Sequence, residues 1–383
     1  MDIPAPRDTP GARPHGDLRW DLFCRVVDNY GDAGFCWRLA RQLAVEHGVA
    51  LRLWIDDPST LAALRPGAAA GADLEGVRIE HWRDDDPRLV HPDPHDVADV
   101  VIAALDCRLP DGYRAAMTTR RPVWVSLDYL SAEDWVTSHH GLPSPKADGL
   151  VEHFFFPGFA AGTGGLLREA DLLARRDAFH ADAGARAAFL ASLGVRMAPQ
   201  ARLVSLFCYP DTPADVLLDG LAANDARWRV LVPAGTAPAT AGHPIALSVP
   251  FVAQPDYDRL LWCCELNFVR GEESFVRALW AARPMIWQAY RQAEGVHRVK
   301  VDAFLRAWSV DAAPEPHAAA ALSDLTEAWN AGPGDWRPRV AAALPACLDA
   351  LPSLRSAATR WSSVQAGRPG LADRLIGFVF DRL

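Results

Sequence analysis

Two aspartates lie four positions apart in a short loop that contains a glycine. The apolar segment LFCRVV (22–27) leads directly into Asp28, Asn29, Tyr30, Gly31 and Asp32. If that segment is a buried strand ending at Val27, the loop stands at the carboxyl edge of a sheet, where open α/β sheets place their sites. Two carboxylates there can accept the planar donors of a guanidinium, or one of them can act as a general base.

A purely structural role explains the same loop. Aspartate is favoured in turns and at the positive end of a helix, so Asp32 could cap the following helix and Asp28 could stabilise an adjacent turn. The spacing differs from the G-x-G-x-x-G dinucleotide fingerprint, which gives nicotinamide chemistry little support. From the residues alone, both interpretations stay open.

A second polar group follows an apolar segment that ends at Val269. It comprises Arg270, Gly271, Glu272, Glu273 and Ser274 and opens a helical pattern. Backbone N–H groups and the serine hydroxyl at a helix start can hold a diphosphate, an arginine can offset its charge, and a glutamate can bind sugar hydroxyls. Acidic residues in a first helical turn are also ordinary helix stabilisers.

The segment PFVAQPDYDRLL places an aromatic side chain and an amide in one short loop. Phe251 follows a predicted strand and Gln254 precedes a helix that begins with proline. Stacking together with a donor–acceptor pair suits a nucleobase, although a core phenylalanine and a surface glutamine would look the same.

The remaining motifs give little support to a metal site or to a kinase or hydrolase activity. The acidic run 84–86 and the histidines at 91 and 95 lack ligand spacing tied to strand ends, so a solvated loop is expected there. Neither a G-x-S-x-G motif nor a Walker A motif occurs.

Composition restricts the class of protein. The 383 residues are 50% hydrophobic and 23% charged, which predicts a globular protein large enough for two domains. A net charge of -9 without a dense Lys/Arg tract argues against a general nucleic-acid or membrane-surface binder. The seven cysteines form no C-x-x-C pair and no apolar run suits a signal peptide or a membrane helix, so reduced, buried thiols and a cytoplasmic location are expected.

The pattern of elements must position these residues. From residue 18, short β-branched or aromatic runs alternate with helical patterns, the signature of βα units that build a parallel sheet, and a second such series begins near residue 201. The predicted organisation is a flexible extension (1–17), a Rossmann-like domain (18–165), an interdomain linker helix (166–196), a second Rossmann-like domain (197–365) and a C-terminal helix (366–383) that packs back on the first domain. A ligand is expected in the cleft between the domains.

The segments DNYGDAGFCWRLARQL, FFFPGF followed by TGGLLRE, SLFCY and RGEESFVRALWAARPMIWQAY resemble, in this order, the EarP family of elongation factor P arginine rhamnosyltransferases. The resemblance implies a GT-B glycosyltransferase fold. It implies inverting, metal-independent transfer of L-rhamnose from dTDP-β-L-rhamnose to one arginine of elongation factor P, with no cofactor besides this donor.

The resemblance also implies roles for particular residues. Asp28 and Asp32 would be catalytic, with Asp32 as general base. Donor contacts would come from Asn29, Tyr30, Gly31, Phe251, Gln254, Arg270, Glu272, Glu273 and Ser274, with Tyr209 and Tyr290 as further candidates by position. Family members read R-G-E-D-S where this chain has Glu273, which leaves the role of that longer carboxylate open.

The resemblance suggests a mechanism that answers a physical problem. An arginine guanidinium is a poor nucleophile because its positive charge is delocalised. Two carboxylates could clamp it while Asp32 accepts a proton and the nitrogen attacks the anomeric carbon opposite the departing dTDP. The alternatives are a GT-B enzyme with a small-molecule acceptor and a nucleotide-sugar-binding protein without catalysis.

Overall fold

The computed structural model describes residues 18–27, 30–198, 200–291, 295–332 and 334–383 and arranges them around two β-sheets. The extension 1–17 therefore lies outside the described residues, as do Asp28 and Asn29. Within the described ranges, no helix is long and apolar enough to cross a membrane.

The first sheet has eight strands in the order β3-β4-β2-β1-β5-β6-β8-β7. The six inner strands run parallel, while the short edge strands β3 and β7 are antiparallel to their neighbours. Continuous apolar runs such as VVIAA suit a parallel sheet because both of its faces are covered. The strands are β1 (Arg19–Cys24), β2 (Ala50–Ile55), β3 (Asp73–Leu74), β4 (Val77–His81), β5 (Val100–Ala104), β6 (Val123–Leu127), β7 (Pro143–Pro145) and β8 (Val151–Phe155).

Five helices connect these strands, and two more lead to the second sheet. Those of the first unit are α1 (Tyr30–His47), α2 (Pro58–Leu64), α3 (Pro87–Val90), α4 (Asp111–Arg120) and α5 (Trp135–His139). The linker contains α6 (Leu172–Ala181) and α7 (Ala183–Ser192).

The second sheet is fully parallel, in the order β11-β10-β9-β12-β13. Its strands are β9 (Arg202–Leu206), β10 (Trp228–Pro233), β11 (Ala246–Val249), β12 (Leu266–Arg270) and β13 (Met285–Gln288). The helices that follow are α8 (Ala214–Asn224), α9 (Gln254–Cys263), α10 (Glu273–Trp280), α11 (Val296–Ala312), α12 (Pro316–Trp329), α13 (Trp336–Asp349), α14 (Leu351–Ala366) and α15 (Leu371–Phe380). One mainly parallel and one fully parallel sheet, joined by helical connections, confirm the predicted α/β class.

The chain returns to the first sheet at its end. In α15, Leu371, Leu375 and Val379 are fully buried in the same apolar cluster as residues of β1 and α1. The last helix therefore completes the core of the first unit.

Two local predictions were wrong. The first strand ends at Cys24, and Val27 is 73% exposed, because the paired segments of β2 and β5 end there too. The backbone N–H groups that follow bond to carboxylates instead, Val26 to Asp56 and Val27 to Asp32.

The linker is two helices instead of one. Asp182 has an extended backbone conformation, and its side chain accepts a hydrogen bond from the Ala185 N–H at 2.9 Å. Aspartate is a strong helix N-cap, so the chain breaks at this residue and a new helix starts.

Candidate active site

The predicted residues gather in a cleft between the carboxyl ends of the two sheets. The cleft has two adjoining pockets, which we call the Phe251 pocket, of about 720 Å³, and the Asp32 pocket, of about 1200 Å³. Both volumes include the open mouths. The two pockets share four lining residues, Gly31, Gly271, Glu272 and Glu273. Groups bound in the two pockets would therefore meet at this boundary.

Most of the sequence-predicted residues line one pocket or both. The Phe251 pocket includes Tyr30, Gly31, Phe251, Gln254, Arg270, Glu272, Glu273 and Ser274. The Asp32 pocket includes Gly31, Asp32, Glu272, Glu273 and Tyr290. Tyr209 lines neither but contacts Tyr290, with ring centroids 5.9 Å apart. Asp28 and Asn29 lie outside the described residues.

Asp32 lies in the first turn of α1 and lines the Asp32 pocket. Its side chain is only 3% exposed, and one carboxylate oxygen accepts a hydrogen bond from the Val27 N–H at 2.8 Å. This bond fixes the orientation of the carboxylate on the pocket wall. A positioned carboxylate of this kind can accept a proton from a bound acceptor.

Glu272 lies at the boundary between the two pockets. One carboxylate oxygen accepts a hydrogen bond from the Leu130 N–H at 2.8 Å, and the other lies 3.4 Å from the ammonium of Lys300. Burial raises the pKa of Glu272 to about 7, while Lys300 and the Leu130 N–H act in the opposite direction. The Glu272 side chain therefore exchanges its proton near neutral pH.

Arg270 ends β12 and contacts the segment that follows the neighbouring strand β9. Its guanidinium lies over the rings of Phe207 at 4.5 Å and Tyr209 at 4.6 Å, and it donates to the Cys208 carbonyl at 3.3 Å. Two aromatic faces hold a planar cation in a defined position. The Phe251 pocket thus has a fixed positive charge on its wall.

Phe251 and Gln254 present an aromatic ring and an amide to the same pocket. The Phe251 ring is 41% exposed and lies 4.7 Å from the Tyr30 ring of the first unit. Gln254 is the first residue of α9, and its buried Nε2 has no hydrogen-bond partner among the described residues. A Cβ on Gly34 would lie 2.6 Å from this Nε2, so the glycine permits the close approach of α1.

A buried ion-pair cluster joins the two units beside the cleft. Arg38 of α1 donates to Glu273 at 2.6 Å, to Glu169 at 3.0 Å and to Asp258 at 3.0 Å. Arg277 of α10 donates to Glu169 at 2.8 Å and to Asp258 at 2.7 Å. Burial pushes the pKa of Glu169 upward, but the two arginines outweigh it and lower this pKa below its ordinary value. The longer carboxylate of Glu273 is therefore already paired with the first unit.

Sequence reasoning missed four residues of the ion-pair cluster and, in the Asp32 pocket, the side chains of Tyr129 and Lys300 among others. The cluster residues are Arg38, Glu169, Asp258 and Arg277. Tyr129 follows the strand β6, so the strand-end argument used for Asp32 could have found it. Lys300 lies inside α11, and nothing in the local sequence signals its position in the cleft.

Comparisons with known proteins identify the family of the chain. Residues 20–380 match the model of the family described as Elongation-Factor P (EF-P) rhamnosyltransferase EarP. A protein-arginine rhamnosyltransferase from Pseudomonas putida is 46% identical over 384 residues, covering 94% of this chain and 98% of the relative. Another from Neisseria meningitidis is 32% identical over 381 residues, covering 94% of this chain and 96% of the relative.

Solved structures give the same result for the fold. One match is a solved structure reported for EarP-mediated arginine glycosylation of translation elongation factor EF-P. Its TM-score is 0.66 at 35% identity, and the match covers 96% of this chain and all of that one. A glycosyltransferase from Rickettsia africae matches with a TM-score of 0.54 at 9% identity, over 95% of this chain and 97% of that one, which supports the fold alone. The architecture is GT-B, and the chain belongs to the EarP family of elongation factor P rhamnosyltransferases.

Proposed function

We propose that this protein transfers L-rhamnose from dTDP-β-L-rhamnose to an arginine side chain of elongation factor P, with inversion at the anomeric carbon. The observation that carries the proposal is the arrangement of the cleft. A pocket with an aromatic ring, an amide and a fixed cation adjoins a second pocket in which the Asp32 carboxylate is held on the wall. Family membership supports rhamnose as the transferred sugar and an arginine of elongation factor P as the acceptor, and the dTDP-linked donor is part of the proposal.

The donor nucleotide is assigned to the Phe251 pocket. The exposed ring of Phe251 offers a face for thymine, and the Gln254 amide nitrogen, unpaired among the described residues, offers a hydrogen bond to the base edge. The start of α10, with Ser274, and the guanidinium of Arg270 would stabilise the diphosphate as it leaves. These cationic and dipolar groups support a reaction that needs neither metal nor cofactor, so transfer should persist in excess chelator.

The acceptor arginine is assigned to the Asp32 pocket. Asp32 offers its carboxylate to a guanidinium there, which can hold one nitrogen toward the sugar at the pocket boundary. Glu272, predicted as a donor contact, lines both pockets and can therefore face the donor and the guanidinium at this boundary. Asp32 then takes a proton from the attacking nitrogen while the bond to dTDP breaks, in one displacement without a sugar–enzyme intermediate. Asp28 is proposed as the second carboxylate of this clamp from its place in the motif.

The remaining predicted residues are proposed as supporting donor contacts. Tyr30 and Gly31 border the Phe251 pocket, and Tyr290 borders the Asp32 pocket. Tyr209 would act through Arg270 and Tyr290, both of which it contacts. We place the protein in the cytoplasm, because its proposed acceptor is a translation factor and its seven cysteines are buried thiols without disulfides.

The decisive experiment is intact-mass spectrometry of purified elongation factor P after incubation with this protein and dTDP-β-L-rhamnose. The expected result is one added deoxyhexose on one arginine, absent when the Asp32→Asn variant replaces the wild type. Peptide sequencing identifies the arginine, and NMR of the product gives the anomeric configuration.

Two other outcomes would redirect the assignment. Donor turnover without any protein acceptor would indicate a GT-B enzyme acting on a small molecule. Calorimetric binding of dTDP-β-L-rhamnose without turnover under any condition would indicate a nucleotide-sugar-binding protein.

A further inference from the structure

The boundary between the two pockets carries one carboxylate that faces several elements at once. Glu272 stands at the start of α10, and its two oxygens reach the Leu130 N–H of the first unit at 2.8 Å and the Lys300 ammonium of α11 at 3.4 Å. Because Glu272 lines both pockets, its charge acts on whatever binds in either of them.

Lys300 supplies the opposing charge in this part of the cleft. Its ammonium also lies 5.7 Å from the centroid of the Tyr129 ring, so a carboxylate and an aromatic face together hold it. Lys300 and Arg277 are the cationic side chains among the described residues that line the Asp32 pocket. Arg277 is already paired with Asp258 and Glu169, and Lys300 is the cation that pairs with Glu272.

We infer that Lys300 is a positioning residue for the transfer reaction: it favours the ionised form of the Glu272 carboxylate and holds it oriented toward Leu130, where it can meet the acceptor guanidinium. The inference rests on the proposed function, because it assigns the guanidinium to the Asp32 pocket. Lys300 itself need not touch either substrate.

The electrostatic surroundings explain why a cation is needed. Burial disfavours the charged form of Glu272, and Asp128, directly after β6, adds a like charge. Tyr129 faces the same carboxylate, and Asp32 and Asp106 add negative charge around that ring. Glu273 is adjacent in the chain but pairs with Arg38. Without Lys300, the pKa of Glu272 would rise from about 7 to a higher value, and a larger fraction of the carboxyl would be protonated at neutral pH.

The test compares pH profiles of kcat/KM for elongation factor P in the wild type, Lys300→Met and Lys300→Arg. The wild-type profile should rise with pH through about 7, where Glu272 ionises. In Lys300→Met this rise should occur about one pH unit higher. At pH values below the rise, kcat/KM should therefore be roughly tenfold lower than in the wild type. Lys300→Arg should restore the wild-type profile. At saturating acceptor kcat should change little, because the bound guanidinium then supplies the missing positive charge.

The chain offers a matched control. Lys146 has the same side-chain exposure as Lys300, 27%, and it too pairs with a glutamate, Glu152 at 2.6 Å, and lies near an aromatic ring, 5.8 Å from the centroid of Trp124. It lies outside both pockets, so Lys146→Met should leave the pH profile unshifted. The inference would be overturned by any of three results: a shifted pH profile in Lys146→Met, an unshifted profile in Lys300→Met, or a loss of kcat/KM in Lys300→Met that is equal at all pH values.

A second measurement does not depend on activity. NMR titration of protein with ¹³C-labelled glutamate carboxyls, with the Glu272 resonance assigned through Glu272→Gln, should show a higher pKa for Glu272 in Lys300→Met than in the wild type. An unchanged pKa refutes the inference even if transfer is observed. Absence of transfer by the wild type, with the pKa shift present, would instead contradict the proposed function.

Discussion

Asp32 accepts a structural hydrogen bond from Val27 and is proposed as the general base, and one substitution can separate these two roles. An asparagine oxygen can still accept the Val27 N–H bond, but an amide cannot take up a proton from the acceptor. We expect Asp32→Asn to lower kcat by about 10²–10⁴-fold, the usual contribution of a general base, with the affinity for dTDP nearly unchanged. Single-turnover kinetics and calorimetry measure the two effects.

Exposed Asp111, in the first turn of α4, provides the control for that substitution. Asp111→Asn should leave kcat unaltered. Near-wild-type turnover by Asp32→Asn would remove Asp32 from the role of base.

Phe251 should affect the donor far more than the chemical step. Its ring is partly exposed and contacts only the Tyr30 ring among the described aromatic neighbours. Loss of a base-stacking face costs about 1–3 kcal/mol, so Phe251→Ala should raise the Kd for dTDP by roughly 5- to 150-fold. Isothermal titration checks this value.

Phe251→Trp keeps an aromatic face and serves as the comparison. It should retain most of the affinity. Equal affinity of wild type and Phe251→Ala for dTDP would place the base elsewhere in the cleft.

At the scale of elements, helix α1 ties the proposed base to the donor-binding half. It carries Asp32 in its first turn and Arg38 further along, and Arg38 is bonded to α9 and α10 through Asp258 and Glu273. Removing one partner from a buried charge cluster leaves uncompensated charges in the interior. The relative position of α1 and α10 therefore depends on this cluster.

We expect Arg38→Met to lower the free energy of unfolding by about 3–5 kcal/mol, because Glu273 and Asp258 would then lack one of their cations. Urea denaturation followed by tryptophan fluorescence measures the change. The matched variant is Arg41→Met on the same helix, where the pair with Glu75 is 37% exposed on the arginine side and is worth about 0–1 kcal/mol. Equal stability of the two variants would contradict a stabilising role for the cluster.

At the scale of the whole molecule, the chain crosses between the two units twice. The linker helices lead to the second sheet, and α15 returns to bury Leu371, Leu375 and Val379 in the first core. Closing the chain in this way makes the stability of the first unit depend on the last helix of the sequence.

We expect Leu375→Ala to cost about 2–5 kcal/mol of unfolding free energy, since the truncated side chain leaves a cavity in a fully buried site. The loss should appear in the first unit, as increased hydrogen exchange in β1 and α1. Val364→Ala on α14, where the side chain is 39% exposed, should stay within about 0.5 kcal/mol of the wild type. Unchanged exchange in β1 would show that α15 is dispensable for that core.

The sequence by itself determined the features that depend on neighbours in the chain. The alternation of apolar runs and helical patterns predicts two mainly parallel sheets. The residues that follow strand ends, among them Asp32, Glu272 and Phe251, are predicted to border a cleft. Local patterns mispredict the end of a strand where pairing with neighbouring strands determines it, as at Cys24. They also mispredict a helix that is divided by an N-cap residue, as at Asp182.

Only the tertiary structure decided which distant side chains meet. Arg38 and Glu273 are 235 positions apart, Leu130 and Glu272 are 142 apart, and the Tyr30 and Phe251 rings come from different units. Such contacts arise from how the two sheets and their helices pack, and no periodicity within one segment encodes them. The charge of Glu272 likewise depends on burial and on Lys300, which are properties of the folded cleft rather than of the segment RGEES.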